Sequence, residues 1–163
     1  MTSSLQTPIE RRQKIEQTCL RLLARREHSQ RELFDKLALR GFRYEEVEPV
    51  ITAIAERNWQ NDERYADCFA RQRIEKGYGP IRIAYELQQR GISNICLDAM
   101  VEEQAGGWLN LLLDVYSRKY DEARNLSQSE WLKRCRYLQQ RGFSSELIKT
   151  LFVELKIKLS RPA

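Results

Sequence analysis

The sequence predicts an all-α protein, an elongated array of three tandem three-helix repeats, and three observations predict it. Leu37-Ala-Leu-Arg40-Gly41-Phe42 returns as Leu87-Gln-Gln-Arg90-Gly91-Ile92 and again as Leu138-Gln-Gln-Arg141-Gly142-Phe143, with the glycines 50 and then 51 residues apart. Apolar residues keep helical spacing after each glycine: position six is Val47, Leu97 or Ile148, position nine Val50, Met100 or Leu151, and position ten Ile51, Val101 or Phe152. Seven glycines, four prolines and no run of alternating β-branched residues leave little from which to build strands.

Residues 1–10 are polar, contain Pro8 and read as a flexible tail. Repeat one, 11–61, begins with a helix that turns Ile15, Cys19, Leu22 and Leu23 to one side. Ser29 and Glu32 form a capping-box pattern, so a second helix runs from about residue 30 to Arg40, where Gly41 supplies a left-handed stop. A third helix carries Val47, Val50, Ile51 and Ile54 inward. Repeat two, 62–106, restarts with Asp62 as the expected N-cap of a helix bearing Tyr65, Phe69 and Ile74. Pro80 suits the first turn of its middle helix, where a missing N–H costs nothing, and Gly91 ends that helix. Gly106-Gly107 breaks the pattern, and repeat three, 107–159, opens at Trp108 with Leu109, Leu112, Leu113, Val115 and Tyr116. Ser127 and Glu130 repeat the capping signal. Eight residues before the glycine stand Leu33, Ile83 and then Arg134, so the third middle helix either packs differently or exposes that position.

Hydrophobic residues make up 42% of the chain and charged residues 31%, a large wetted surface for the available core, which favours an array over a sphere. The net charge is +5, distributed as +1 over residues 1–62, −1 over 63–106 and +5 over 107–163. Such a balance permits a polyanion or an acidic protein face as partner without requiring either. Cys19, Cys68, Cys96 and Cys135 are widely spaced, which excludes a familiar zinc site and reads as reduced thiols used as small core residues in a cytoplasmic protein. No signal-peptide core and no membrane-length apolar run is present, so no membrane partner is expected.

Acid–base or nucleophilic catalysis needs several titratable groups in one place. His28, the single histidine, falls just before Ser29 and reads as a turn residue. Gly77 and Gly79 lack the spacing and the preceding strand of a phosphate loop. The expectation is a chain with no enzymatic activity, no catalytic residue, no metal and no cofactor. The third helices carry Glu45, Glu46 and Glu48, then Asp98, Glu102 and Glu103, which phosphate would repel from a recognition position.

Basic residues gather elsewhere: Arg21, Arg25, Arg26 and Arg31 in repeat one, Arg71, Arg73, Lys76 and Arg82 in repeat two, and Arg118, Lys119, Lys133, Arg134 and Arg136 in repeat three. A charged helix face is ordinarily a solvated face. Tyr78, held between two glycines in a cationic loop, is open to three roles: stacking on a base, filling a pocket on a partner, or capping its own helix pair.

Several segments together carry a family resemblance. They are Arg26-Glu-His-Ser29 with Glu32-Leu33 and Lys36-Leu37, then Asn61-Asp62-Glu-Arg64-Tyr65-Ala66, then Lys76-Gly-Tyr-Gly-Pro80 with Arg82-Ile83 and Glu86-Leu87, and finally Arg136-Tyr137-Leu138 with Arg141-Gly142-Phe143. In these the chain resembles the RecX family, regulators of the RecA recombinase, over nearly its whole length apart from the N-terminal tail and residues 121–127. The resemblance implies a non-catalytic protein of DNA repair, recombination and the SOS response. Such a protein binds RecA and its filament on single-stranded DNA and inhibits filament extension, ATPase, strand exchange and coprotease activity.

From charge and motif, the contact surface for a partner protein or DNA is assigned to Arg71, Arg73, Lys76, Tyr78 and Arg82, with Arg25, Arg26 and Arg31 as first-repeat counterparts. A free-standing protein that grips single- or double-stranded DNA through basic helix faces is the alternative. The two differ in salt response, since phosphate binding releases counterions and weakens steeply as salt rises.

Overall fold

The computed structural model describes residues 5–162. Among these are nine helices and one pair of two-residue strands. The chain divides into two compact units. The first runs through Cys68 and takes in Gln88–Ile92, and the second holds Phe69–Leu87 and the chain from Ser93 onward.

In the first unit, α1 (Pro8–Arg25) begins before the apolar spacing does. The Thr7 hydroxyl accepts the Glu10 N–H at 3.2 Å, the Glu10 carboxylate accepts the Thr7 N–H at 2.9 Å, and Pro8 occupies the first turn. Residues 8–10, read from their polarity as tail, are therefore helical, while residues 1–4 of that tail lie outside the described residues. The second helix, α2 (Gln30–Leu39), starts at the Ser29–Glu32 capping box and stops at Gly41, whose φ is +86°. There the Gly41 N–H bonds to the Ala38 carbonyl at 3.0 Å and the Phe42 N–H to the Leu37 carbonyl at 3.2 Å. The third, α3 (Tyr44–Glu56), closes the bundle on both others. Ile15, Cys19, Leu22, Leu33, Leu37, Phe42, Val47, Val50, Ile51 and Ile54 form its core, each such apolar side chain contributing roughly 1.5–3 kcal/mol on burial.

The next helix, α4 (Asp62–Glu75), is capped one residue earlier than the sequence suggests. The Asn61 side chain accepts the Arg64 N–H at 3.0 Å, whereas the Asp62 carboxylate accepts from the Gln30 N–H at 2.9 Å and the Gln60 amide at 2.8 Å. Either side chain has the chemistry of a cap, and the engagement of Asp62 by the distant Gln30 N–H and the nearby Gln60 amide decides between them.

The second unit draws on the end of α4 and most of α5 (Pro80–Gln89), then α6 (Asp98–Ala105), α7 (Trp108–Lys119), α8 (Gln128–Gln140) and α9 (Ser145–Glu154). Its core includes Ile74, Ile83, Leu87, Val101, Leu112, Tyr116, Leu138, Phe143, Leu151 and Phe152. The all-helical expectation needs one addition: β1 (Asn125–Leu126) pairs in parallel with β2 (Lys158–Leu159), tying the segment before α8 to the segment after α9. No strand periodicity develops over two residues, which is why the sequence does not announce it.

Arg134 resolves its two options in favour of different packing. It is 5% exposed, and its guanidinium donates to Glu130 at 2.9 Å, to the Tyr116 hydroxyl at 2.7 Å and to Asp121 at 3.1 Å, with the Tyr120 ring 4.5 Å away. Burial works against its charge, and the hydrogen bonds to Glu130, Tyr116 and Asp121 more than offset that, so its pKa is raised. Of the thiols, Cys19 is buried and pushed up to about 11 by that burial, but Cys68 and Cys96 are exposed, on α4 and in the loop before α6, and are not core residues.

Candidate functional site

The site is built on the exit from α4. Gly77 bends the chain through φ +80°, with its N–H on the Ile74 carbonyl at 2.9 Å, and the next N–H, that of Tyr78, bonds to Arg73 at 3.0 Å. This is the helix stop already seen at Gly41 and Phe42, and it projects an aromatic residue just past the helix end. From there the backbone docks on the glycine turn that follows α8: the Gly79 N–H donates to the Arg141 carbonyl at 2.8 Å and the Ile81 N–H to Gly142 at 3.1 Å. Only glycine permits this approach, because a Cβ on residue 79 would fall 2.4 Å from the Gly142 carbonyl oxygen.

The half-buried Tyr78 ring is surrounded by guanidinium groups. Arg141 stands 4.3 Å from its centroid, Arg82 4.4 Å and Arg73 5.4 Å. Each such contact is worth roughly 0.5–2 kcal/mol, more where water is excluded. Glu86 pairs with Arg73 at 2.9 Å and with Arg82 at 3.3 Å, so one carboxylate serves two cations and the cluster keeps a positive excess. Arg141 completes the frame through its Nε bond to the Gly77 carbonyl at 3.2 Å and an Nη2 bond to the Lys76 carbonyl. The Lys76 side chain is exposed. Planar guanidinium groups beside an exposed ammonium match carboxylates or phosphates on a partner.

Of the residues predicted from sequence, Arg73, Tyr78 and Arg82 are brought around one ring, and Lys76 lies on the same loop. Arg71 is on α4, paired with Glu103 at 3.4 Å. Arg25, Arg26 and Arg31 belong to the first unit. Arg25 ends α1 exposed, Arg26 pairs with Glu32 at 3.1 Å, and exposed Arg31 lies against Gly91. Burial raises and the Arg26 hydrogen bond lowers the Glu32 pKa, with a net depression. Sequence reasoning missed Glu86 and Arg141. The signal for Arg141 is present in the thrice-repeated Arg-Gly pair, whose spacing marks the repeats and the helix stops but not where the guanidinium goes.

That pair recurs structurally. Within the first unit, Arg90 Nε lies 3.7 Å from the Glu32 carboxylate, and a Cβ on Gly91 would sit 3.2 Å from that of Arg31. Arg40 has no preceding repeat, and it bonds instead to the Lys36 carbonyl of its own helix at 3.0 Å. The Arg-Gly turns of repeats two and three thus dock on the start of the preceding repeat's middle helix.

Beside the site lies a cleft of about 480 Å³ lined by Lys76, Arg118, Lys119 and Arg141 with Glu75, Asp114 and Tyr137. Among the described residues no group of three or more His, Cys, Asp or Glu side chains is placed to hold a metal ion, and no helix is long and apolar enough to cross a membrane.

Three family profiles match in tandem: RecX, first three-helix domain, over residues 17–52, RecX, second three-helix domain, over 61–100, and RecX, third three-helix domain, over 109–152. Regulatory protein RecX of Halorhodospira halophila is 39% identical over 83% of this chain and 84% of its own length, and that of Pseudomonas entomophila is 37% identical over 93% and 95%. The crystal structure of RecX from Lactobacillus salivarius shares the fold at a TM-score of 0.70 with 22% identity, covering 90% of this chain and 97% of that one. Three helical domains in the family's own order, and relatives this similar along most of their length, make the conclusion plain: the chain belongs to the RecX family of regulatory proteins.

Proposed function

We propose that this chain is a non-catalytic regulator that binds the RecA recombinase and its filament on single-stranded DNA, in the cytoplasm, as part of DNA repair, recombination and the SOS response. It inhibits filament extension, and with it ATPase, strand exchange and coprotease activity. The observation that carries the reading is the tandem match, in the family's own order, over residues 17–52, 61–100 and 109–152. Repeats joined on one chain offer several cationic surfaces, and a filament offers several copies of one protomer face, so modest contacts gain from multivalency. The proposed contact residues are Arg71, Arg73, Lys76, Tyr78 and Arg82, together with Arg25, Arg26 and Arg31.

The test is the single-stranded-DNA-dependent ATPase of RecA with this chain added from substoichiometric to stoichiometric amounts and DNA in excess. Loss of ATPase well below one copy per protomer is the expected result, since competition for DNA does not act at that ratio. Full ATPase at stoichiometry sinks the reading.

The second reading, direct DNA binding through basic faces, is favoured by the cleft holding Lys76, Arg118, Lys119 and Arg141. It predicts an affinity for DNA alone that falls steeply with salt, with a log–log slope near −0.7 to −0.9 per phosphate neutralised.

A further inference from the structure

We infer that Arg141 is a positioning residue for the cationic loop of repeat two, so that the surface carrying Lys76, Tyr78 and Arg82 is assembled by two repeats. The inference rests on the reading of that loop as the partner-facing site.

Within repeat two, Tyr78 is held by its N–H on the Arg73 carbonyl and by the Arg73 and Arg82 guanidinium groups over its ring, and the rest of the frame comes from repeat three. The loop leaves α4 through Gly77 and enters α5 through Gly79-Pro80; the Gly77 and Tyr78 N–H groups close the end of α4, while further backbone groups pair with repeat three. The Gly79 and Ile81 N–H groups donate to the carbonyls of Arg141 and Gly142 at 2.8 and 3.1 Å, and the carbonyls of Lys76 and Gly77 accept from the Arg141 side chain. That same guanidinium lies 4.3 Å from the Tyr78 centroid. One planar group therefore holds two carbonyls and one ring face at once, which an ammonium cannot reproduce because it has neither the plane nor the fork. Arg82 is drawn into the same frame: its guanidinium lies 4.4 Å from the ring, and Nη1 donates to the Gln140 carbonyl at 3.2 Å.

The arrangement has a consequence for function. Lys76, Tyr78 and Arg82 keep their relative placement only while the Arg141-Gly142 turn is seated, and a preorganised cluster binds more tightly than the same side chains on a loose loop. Arg141 acts through Tyr78 and the loop backbone, and its substitution is felt at the partner interface.

The test uses the full chain in two measurements. The first is a double-mutant cycle of Arg141→Gln and Tyr78→Ala, read as affinity for the RecA filament on single-stranded DNA. Each single substitution is expected to weaken binding roughly tenfold, Arg141→Lys to fail as a rescue, and the double substitution to be no weaker than Tyr78→Ala alone, since coupled residues do not add. The second is hydrogen exchange of the Gly79 and Ile81 amides, which needs no partner and should accelerate in the Arg141→Gln chain while the protection of α1, α2 and α3 is unchanged. Additive losses in the cycle, or unchanged exchange at both amides, overturn the positioning role while leaving the regulator reading in place. A parent chain that does not bind the filament overturns the proposed function, and the role of this surface with it.

Discussion

A Cβ placed on Gly142 would lie 2.4 Å from the Arg82 Cβ and 2.7 Å from the Arg82 nitrogen, so the turn after α8 and the start of α5 meet backbone to backbone. Gly142→Ala therefore meets two costs, a left-handed φ of +104° and an overlap that no flexible side chain relieves. Gly41→Ala meets only the first, because nothing lies within 4 Å of its added Cβ. Urea unfolding should show a loss of about 1–2 kcal/mol for Gly41→Ala and roughly 3 kcal/mol or more for Gly142→Ala. Equal losses would mean that the close approach has no energetic weight.

Arg134 occupies a position that is Leu33 in repeat one and Ile83 in repeat two, yet it is buried with a full set of polar partners. Arg134→Ala removes the charge, leaves the buried Tyr116 hydroxyl without its partner and opens a cavity, at a cost on the order of 3 kcal/mol. Arg134→Leu leaves the same hydroxyl unpartnered but restores the aliphatic volume of the other repeats, so it avoids the cavity. Chemical denaturation should find Arg134→Leu clearly less destabilised than Arg134→Ala, and the reverse order would contradict this account of the core.

Among the groups that shape the acid limb of stability, which include Glu32 and Asp121, His28 and Glu46 act in separate windows. His28 is 2% exposed, donates from Nδ1 to the Arg26 carbonyl at 3.0 Å and faces the Lys36 ammonium across Nε2 at 3.4 Å. Burial depresses its pKa below the ordinary 6.5; the hydrogen bond to the Arg26 carbonyl opposes this, the charges of Arg26 and Lys36 add to it, and that of Glu32 opposes it. The unfolded chain binds that proton more readily, so the His28 contribution is complete above pH 6.5 and is lost as pH falls through its lower folded value. Glu46 is held down to about 2, first by the Arg11 side chain at 2.6 Å and then by the Arg43 N–H, so its contribution is present above pH 4.5 and lost as pH falls toward 2. Melting temperature followed against pH should fall in both windows, with His28→Gln flattening the upper one and Glu46→Gln the lower.

Lys156 ends α9 in the left-handed region at φ +56°, the place that Gly41 and Gly142 take after the middle helices. Its N–H bonds to the Val153 carbonyl at 3.1 Å and the Ile157 N–H to Phe152 at 2.8 Å, so the helix stop is complete and only the residue type is unsuited to it. Lys156→Gly should stabilise the chain by about 0.5–1 kcal/mol in guanidinium unfolding. A loss instead would show that the lysine side chain contributes more than its backbone costs.

What the sequence by itself determined is whatever depends on neighbours within a helical turn or two. The three repeats, the helix starts at Ser29, Pro80 and Ser127, the stops at Gly41, Gly91 and Gly142, and the inward positions of α3 and α9 all follow from local capping chemistry and 3.6-residue spacing, whereas in α6 Val101 is buried and Met100 only half-buried. The capping pair Thr7 and Glu10 was equally local and was obscured by the polarity around it. What only the tertiary structure decided is the employment of the charges. Nothing near residue 134 marks that arginine as buried, and nothing near residue 141 places its guanidinium on a loop 64 residues earlier. A cation's role is set by which carboxylates, carbonyls and rings the folded chain brings within a few ångströms of it, and those partners are distant in sequence. The residues of the candidate surface were therefore legible as a composition of arginine, lysine and tyrosine, while their assembly around one ring, with Glu86 and Arg141 as members, was legible only after folding.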